Sequence, residues 1–244
     1  MTDTNRDNLF ALPLGKVPKF VFDHSVVDIF PDMIQRSVPG YQAIINHTGE
    51  LADRFVQNNS HCYDLGCSLG ASTLAIRERI ESRNATIYAI DNSQAMLDKL
   101  DTILQGQPSD TETKLIKSDI CDIQITNASL VVLNFTLQFV PLDRRSELIN
   151  AIYSGLNSKG CLIISEKLHF EPESLNSLLT ELHHQFKRDQ GYSDLEISQK
   201  RDAIEKVLMP ETLTTHIQRL KDCGFKSASP WFQCYNFGSL IAIK

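Results

Sequence analysis

Short apolar blocks alternate along this chain with stretches whose apolar positions recur at helical spacing. Strand patterns fall near 61–65, 86–90, 113–118, 128–134 and 160–166, separated by helical patterns near 70–82, 93–104 and 143–157. Runs such as Leu130-Val131-Val132-Leu133 are apolar at every position, as in strands covered by helices on both faces. The pattern therefore predicts an α/β fold with a doubly wound, mostly parallel sheet. A further helix is predicted over Tyr41–Gln57, with Ile44, Ile45, Leu51, Phe55 and Val56 on its apolar face. Near the C-terminus, Trp231–Phe237 and Ser239–Ile243 read as two strands joined at Gly238. This antiparallel hairpin, added to the five parallel strands, makes a seven-stranded sheet.

Two regions depart from the alternation. Residues 1–40 read as irregular, because Pro13, Pro18, Pro31 and Pro39 interrupt any long helix. They also carry Phe20, Val21, Phe22, Val26, Val27, Ile29 and Phe30, too apolar a set for a solvated tail. An arm folded over the domain, or against a partner subunit, is expected. Residues from about 171 to 224 form a helical insertion with His183, His184, Lys187, Arg188, Lys200 and Arg201. It is placed above the strand ends, where a second substrate would approach, although each charge alone reads as part of a solvated helix face. The whole, 1–244, is read as one domain with these two additions.

Chemistry concentrates at Asp64-Leu65-Gly66-Cys67-Ser68-Leu69-Gly70, between the first strand and the following helix, and at Asp91, which ends the next strand. Small residues let a strand turn sharply into a helix and leave room for a ligand, and an acid at the neighbouring strand end can accept hydrogen bonds from ribose hydroxyls. The spacing is not that of a dinucleotide fingerprint. It resembles the first motif of class I S-adenosyl-L-methionine-dependent enzymes, with Ser68 where many members have glycine. Asp64 suits the amino-acid part of a cationic sulfonium ligand. Asp119-Ile120, after the third strand, can read adenine or serve as a turn cap, and Asn134 ends the fourth strand facing the site. Asn134-Phe135-Thr136-Leu137 lacks the Pro-Pro-aromatic signature of many amine methyltransferases. His61 and His169 read as packing or surface residues.

Composition narrows the partners. A net charge of −6 argues against a broad nucleic-acid footprint and favours a small-molecule substrate. The longest apolar runs are too short to cross a bilayer, and the N-terminus lacks a signal-peptide core. Six cysteines without any Cys-x-x-Cys pair point to reduced structural thiols in a cytoplasmic protein, with no metal.

Longer strings carry a narrower resemblance. Phe30–Tyr41, Tyr63–Gly70, Leu133–Phe139, Gly191–Arg201 and Trp231–Leu240 resemble the carboxy-S-adenosyl-L-methionine synthase family over nearly the whole chain, with Tyr235 in place of a phenylalanine. The resemblance implies that S-adenosyl-L-methionine is a substrate, carboxylated on its methyl carbon. It implies prephenate as carboxyl donor, and phenylpyruvate and water as further products. Carboxy-S-adenosyl-L-methionine would be the bound product, used by a tRNA carboxymethoxy-transferring enzyme at the wobble uridine, so this chain need not touch RNA. A homodimer is also implied. In the family's proposed mechanism the leaving hydroxyl of prephenate takes the methyl proton, so no catalytic residue is assigned. Carried over by position, the ligand contacts fall on Tyr41, Gly66, Cys67, Ser68, Asp91, Asn92, Asp119, Ile120, Asn134 and Arg201. The Arg201 guanidinium would clamp the new carboxylate. The rival readings are an ordinary S-adenosylmethionine-dependent small-molecule methyltransferase and a non-catalytic sensor of the cofactor.

Overall fold

The computed structural model describes residues 6–17, 20–204 and 207–244. Its sheet has seven strands in the order β3-β2-β1-β4-β5-β7-β6. The parallel part comprises β1 (His61–Leu65), β2 (Thr86–Asp91), β3 (Thr113–Lys117), β4 (Ala128–Asn134) and β5 (Leu156–Lys167). The antiparallel hairpin of β6 (Ser227–Cys234) and β7 (Phe237–Ile243) attaches to β5 through β7. The predicted fold class is the observed one.

Helices cover both faces. On one side, α3 (Tyr41–Phe55) and α4 (Ala71–Arg79) bury Ala52 and Ile76 against Cys62, Ile87, Leu130 and Val132 of the sheet. On the other, α6 (Leu142–Gly155) and α9 (Leu213–Asp222) bury Leu148, Ile149, Ile152 and Leu220 against Leu65, Val131 and Leu133. Alternate residues of β4 thus feed opposite cores, which is why no polar position interrupts Leu130–Leu133. Helix α5 (Gln94–Gln105) follows β2, and Ser93 caps it by accepting a hydrogen bond from the Met96 amide.

Three expectations need correction. The hairpin does not turn at Gly238: Cys234 pairs with Phe237, so Tyr235 and Asn236 form the loop, with Tyr235 at φ 50°. Gly238 lies within β7, where a Cβ would come 2.7 Å from the Leu168 side chain. Strand β5 starts at Leu156, ahead of the predicted 160, because Leu156 already pairs with Ala128 before a register shift brings Cys161 opposite Leu130. The N-terminal region is also not simply irregular. It contains α1 (His24–Val27) and α2 (Phe30–Ser37), and Pro31 sits in the first turn of α2, where its missing N–H has no helical partner to lose. Pro18 and residues 1–5 lie outside the described residues.

The apolar N-terminal residues fold inward. Phe10, Phe20, Val26, Val27, Phe30 and Met33 form one buried cluster with Leu69, Met96 and Ala203. Helices α7 (Glu173–Asp189) and α8 (Asp194–Ile204) complete this cover over the strand ends. Gln199 of α8 grips residues 10–14: its amide nitrogen donates to the Phe10 and Leu12 carbonyls, each at 2.9 Å, and its oxygen accepts from the Leu14 amide at 2.7 Å.

Candidate active site

The strand order reverses between β1 and β4, so their outgoing chains part in opposite directions and leave a crevice at the carboxyl ends. A cavity of about 730 Å³ occupies it, roofed by α2, α7, α8 and the segment around Phe20–Phe22.

The glycine turn shapes one wall. Gly66 has φ 79°, and a Cβ there would lie 2.4 Å from the Thr136 methyl. Gly70, at φ 77°, caps α4 with the Leu100 side chain 2.3 Å from where its Cβ would be. Both positions exclude larger residues by backbone geometry and by space. Ser68 also takes a left-handed conformation, φ 50°, which explains why glycine commonly occupies this place in the motif. The amides of Gly66 and Cys67 share the Ile90 carbonyl, at 2.8 and 2.9 Å, fastening the turn to the end of β2.

Asp91 organises the same wall. One carboxylate oxygen accepts from the Ser68 amide and the other from the Ser93 amide, both at 2.8 Å. Burial raises its pKa, against the pull of the Ser93, Ser68 and Asn92 amides. Each oxygen retains a second lone pair, so the side chain can accept a pair of ligand hydroxyls while holding the loop. Asp64 is deeper. Burial pushes its pKa up to about 6, hydrogen bonds from Thr73 oppose this, and the Asp91 charge adds to it. The Thr73 hydroxyl donates to it at 2.6 Å. A cationic ligand group beside Asp64 would relieve both desolvation and repulsion.

The floor is an ordered polar chain. Asn134 donates to the Ser72 hydroxyl at 2.8 Å and accepts from Ser165 at 2.6 Å, and Ser165 contacts Ser239 at 2.8 Å. Glu166, fully buried in β5, accepts from the Leu137 and Gln138 amides at 2.9 and 3.0 Å and so fixes the turn that carries Gln138 and Phe139 into the cavity. Burial pushes its pKa up to about 8, against those amides and the Arg145 charge. Nothing in the local sequence marks Glu166, since its role depends on a turn almost thirty residues earlier.

A further part of the lining is basic. Lys167 at the end of β5, His183 and Lys187 of α7 and Lys200 of α8 all line the cavity. Burial, and then the charges of Lys187 and Lys167, drive the His183 pKa down to about 2, so its imidazole is neutral. Its Nε2 lies 2.8 Å from the Ser37 carbonyl, which can only accept, so Nε2 carries the proton. Lys200 donates to Asp7 at 2.8 Å, to Ser37 at 2.8 Å and to Tyr192 at 3.2 Å. Tyr192 in turn donates to Asp7. Burial raises the Asp7 pKa, but Lys200 and these hydrogen bonds outweigh it and hold the carboxyl below its ordinary value. The N-terminal segment is thereby pinned to α8 at the rim of the cavity.

Tyr41, Gly66, Cys67, Ser68, Asp91, Asn92, Asp119, Ile120 and Asn134 all line this one cavity. Burial holds the Cys67 thiol well above its ordinary pKa, so it is no nucleophile. Asp119 serves as a turn cap as well, accepting from the Cys121 amide at 2.8 Å. Arg201 is the exception. Successive helical residues point about 100° apart, so with Lys200 facing the cavity Arg201 turns outward; it is exposed, with a guanidinium nitrogen 3.5 Å from Asp202. The carboxylate clamp expected of Arg201 is not found in this cavity. His183, Lys187 and Lys200, by contrast, are not a solvated face. His61 packs edge-to-face against Tyr88 with ring centres 5.0 Å apart, outside the site.

A family model described as a methyltransferase domain matches residues 63–160. The chain is 53% identical over 241 residues to the carboxy-S-adenosyl-L-methionine synthase of Vibrio atlanticus, covering 99% of this chain and 100% of that protein. The chain belongs to the carboxy-S-adenosyl-L-methionine synthase family. The synthase of Shewanella putrefaciens is 54% identical over 242 residues, with 99% and 100% covered. Among solved structures, human N-acetylserotonin methyltransferase, in complex with SAM, superposes with a TM-score of 0.61 at 15% identity over 98% of this chain and 63% of that one. Magnesium protoporphyrin IX methyltransferase of Synechocystis, with bound SAH, gives 0.60 at 16% identity, with 87% of each chain covered. At these identities the likeness is one of fold. This synthase family is a family of enzymes on the class I methyltransferase fold, and the chain is one of its transferases.

Proposed function

We propose that the protein converts S-adenosyl-L-methionine and prephenate to carboxy-S-adenosyl-L-methionine, phenylpyruvate and water. The full-length kinship with carboxy-S-adenosyl-L-methionine synthases carries this reading. Asp91 accepts the ribose hydroxyls, Asp119 and Ile120 meet the adenine, and the backbone of Gly66–Ser68 passes close to the cofactor. Asp64, Tyr41 and Asn134 surround its amino-acid and sulfonium part, where a carboxylate suits the positive charge.

The sulfonium stabilises an adjacent carbanion. As prephenate loses carbon dioxide its ring becomes aromatic and the ring hydroxyl departs as hydroxide. That hydroxide takes a methyl proton, forming water, and the ylide carbon forms a new bond to carbon dioxide. Atoms and charge balance without an outside oxidant or reductant. The protein's part is to hold both substrates, exclude bulk water and keep carbon dioxide beside the ylide. We extend the proposal to a cytoplasmic homodimer whose product serves a separate tRNA-modifying enzyme at the wobble uridine.

Incubation of the protein with both substrates, followed by mass spectrometry, tests the reading. Phenylpyruvate and carboxy-S-adenosyl-L-methionine should form in equal amounts. S-adenosylhomocysteine as the main cofactor product, with prephenate untouched, would reassign the protein to ordinary methyl transfer.

A further inference from the structure

We infer that Arg145 is a positioning residue for the reaction, fixing from outside the cavity the turn Leu137–Phe139 that helps to shape it. The assignment rests on the proposed reaction, whose rate is its readout. Arg145 belongs to α6, is fully buried and stands outside the cavity lining. Its Nε donates to the Val140 carbonyl at 2.9 Å, and one terminal nitrogen donates to the carbonyls of Gln138 at 3.3 Å and Met209 at 2.8 Å. The other terminal nitrogen pairs with Glu211, which also takes Arg219. The Met209 amide returns to the Gln138 carbonyl at 3.0 Å. One guanidinium thus ties together two lining stretches, that of Gln138, Phe139 and Val140 and that of Val207 and Leu208.

Opposite charges grip the turn from its two ends. Glu166 accepts from the Leu137 and Gln138 amides, while Arg145 donates to the Gln138 and Val140 carbonyls. Either charge would be costly to bury alone, and the turn's backbone groups between them offset that cost. Position matters because the turn touches other parts of the site. Thr136, just before it, packs so closely on the glycine turn that a Cβ on Gly66 would lie 2.4 Å from its methyl. Phe139 meets Phe22 of the roof edge-on, with ring centres 5.6 Å apart. A shift of the turn is therefore passed to the edges of the cavity, whereas Asp91 and its amide partners keep their own hydrogen bonds. Misplacement on the order of 1 Å can cost about a hundredfold in rate. Lysine would keep the positive charge but not the planar fork that reaches three carbonyls and a carboxylate at once.

The test uses the full-length protein with Arg145→Lys, Glu166→Gln, their combination, and Arg219→Lys, which alters the same ion cluster without touching the turn. Arg145→Lys and Glu166→Gln should each lower kcat by about tenfold or more, with the prephenate KM changed less than kcat. Calorimetry should find the S-adenosyl-L-methionine Kd within about threefold of wild type, which also establishes that each variant is folded. The double variant should lose less than the product of the single losses, because both residues act through one turn. Arg219→Lys should keep kcat within about twofold of wild type, whatever its change in melting temperature. Wild-type kcat in folded Arg145→Lys would overturn the role and leave the proposed reaction standing. Equal kcat losses in Arg145→Lys and Arg219→Lys, or single losses that multiply in the double variant, would also overturn it. If Arg145→Lys does not fold, Glu166→Gln decides, because loosening the same turn from its other end must lower kcat. Wild type that releases no phenylpyruvate would overturn the proposed reaction and this role together.

Discussion

The acidic and basic parts of the cavity lining are assembled differently. Asp64, the glycine turn and Asp91 come from adjoining strands β1 and β2, paired residue for residue from His61–Thr86 to Leu65–Ile90. Asp91 is held by the Ser68 and Ser93 amides and Asp64 by the Thr73 hydroxyl, close to the turn in sequence. Lys167, Lys187 and Lys200 come from a strand and two helices, and Lys200 is placed by its contacts with Asp7 and Ser37 of the N-terminal region. The first wall is made by the sheet. The second exists only once distant parts of the chain have packed.

The largest effect should come from Asp91→Ala. It removes the proposed ribose acceptors and leaves the Ser68 and Ser93 amides without that partner, so the Kd for S-adenosyl-L-methionine should rise tenfold or more, at about 1.5–3 kcal/mol per charge-assisted hydrogen bond. Calorimetry giving an unchanged Kd in a folded variant would break the assignment of this wall to the nucleoside.

An intermediate effect should appear with pH. Asp64 titrates at about 6 in the folded protein against 3.8 ordinarily, so between these values the folded state holds more protons than the unfolded one. Its contribution to stability therefore declines as pH rises from about 4 to 6, and is lowest above that. Binding runs the other way, because only the ionised carboxylate attracts a cation. Affinity for S-adenosyl-L-methionine should fall as pH drops through about 6, with proton release on binding near that pH. In Asp64→Asn the affinity should be weaker at neutral pH and this pH step should vanish. Calorimetry in buffers of different ionisation enthalpy would register the released proton, and finding none in wild type would exclude Asp64 as the counter-charge.

The smallest effect should follow Ser68→Gly. The Ser68 amide, not the hydroxyl, holds Asp91, and glycine relieves a left-handed residue costing on the order of 1 kcal/mol. Thermal melting should show equal or slightly higher stability, and cofactor affinity should stay within about twofold of wild type. A large loss of affinity would mean that the hydroxyl itself touches ligand, sharpening the account of the turn.

Much of the molecule was legible before folding. Apolar blocks located β1–β5 and the helices between them, because strand and helix periodicities are local properties of the chain. The glycine turn and Asp91 were readable for the same reason: sharp strand-to-helix turns restrict residue type at fixed spacing. What misled was also local. Gly238 suggested a turn that Tyr235 and Asn236 make, and Pro31 suggested a break where it begins a helix.

The sequence by itself thus determined the sheet, its helical cover and the glycine turn with Asp91 beside it, since these follow from short-range patterning and steric limits on the backbone. Tertiary structure alone decided that Lys187 and Lys200 face inward and Arg201 outward, that Asp7 pins the N-terminal segment to α8, and that Glu166 holds the Gln138 turn. A charged helix shows no mark of which face will be buried. That rotation is set by partners far away in sequence, where hydrogen bonds and opposite charges must offset the cost of removing the charge from water.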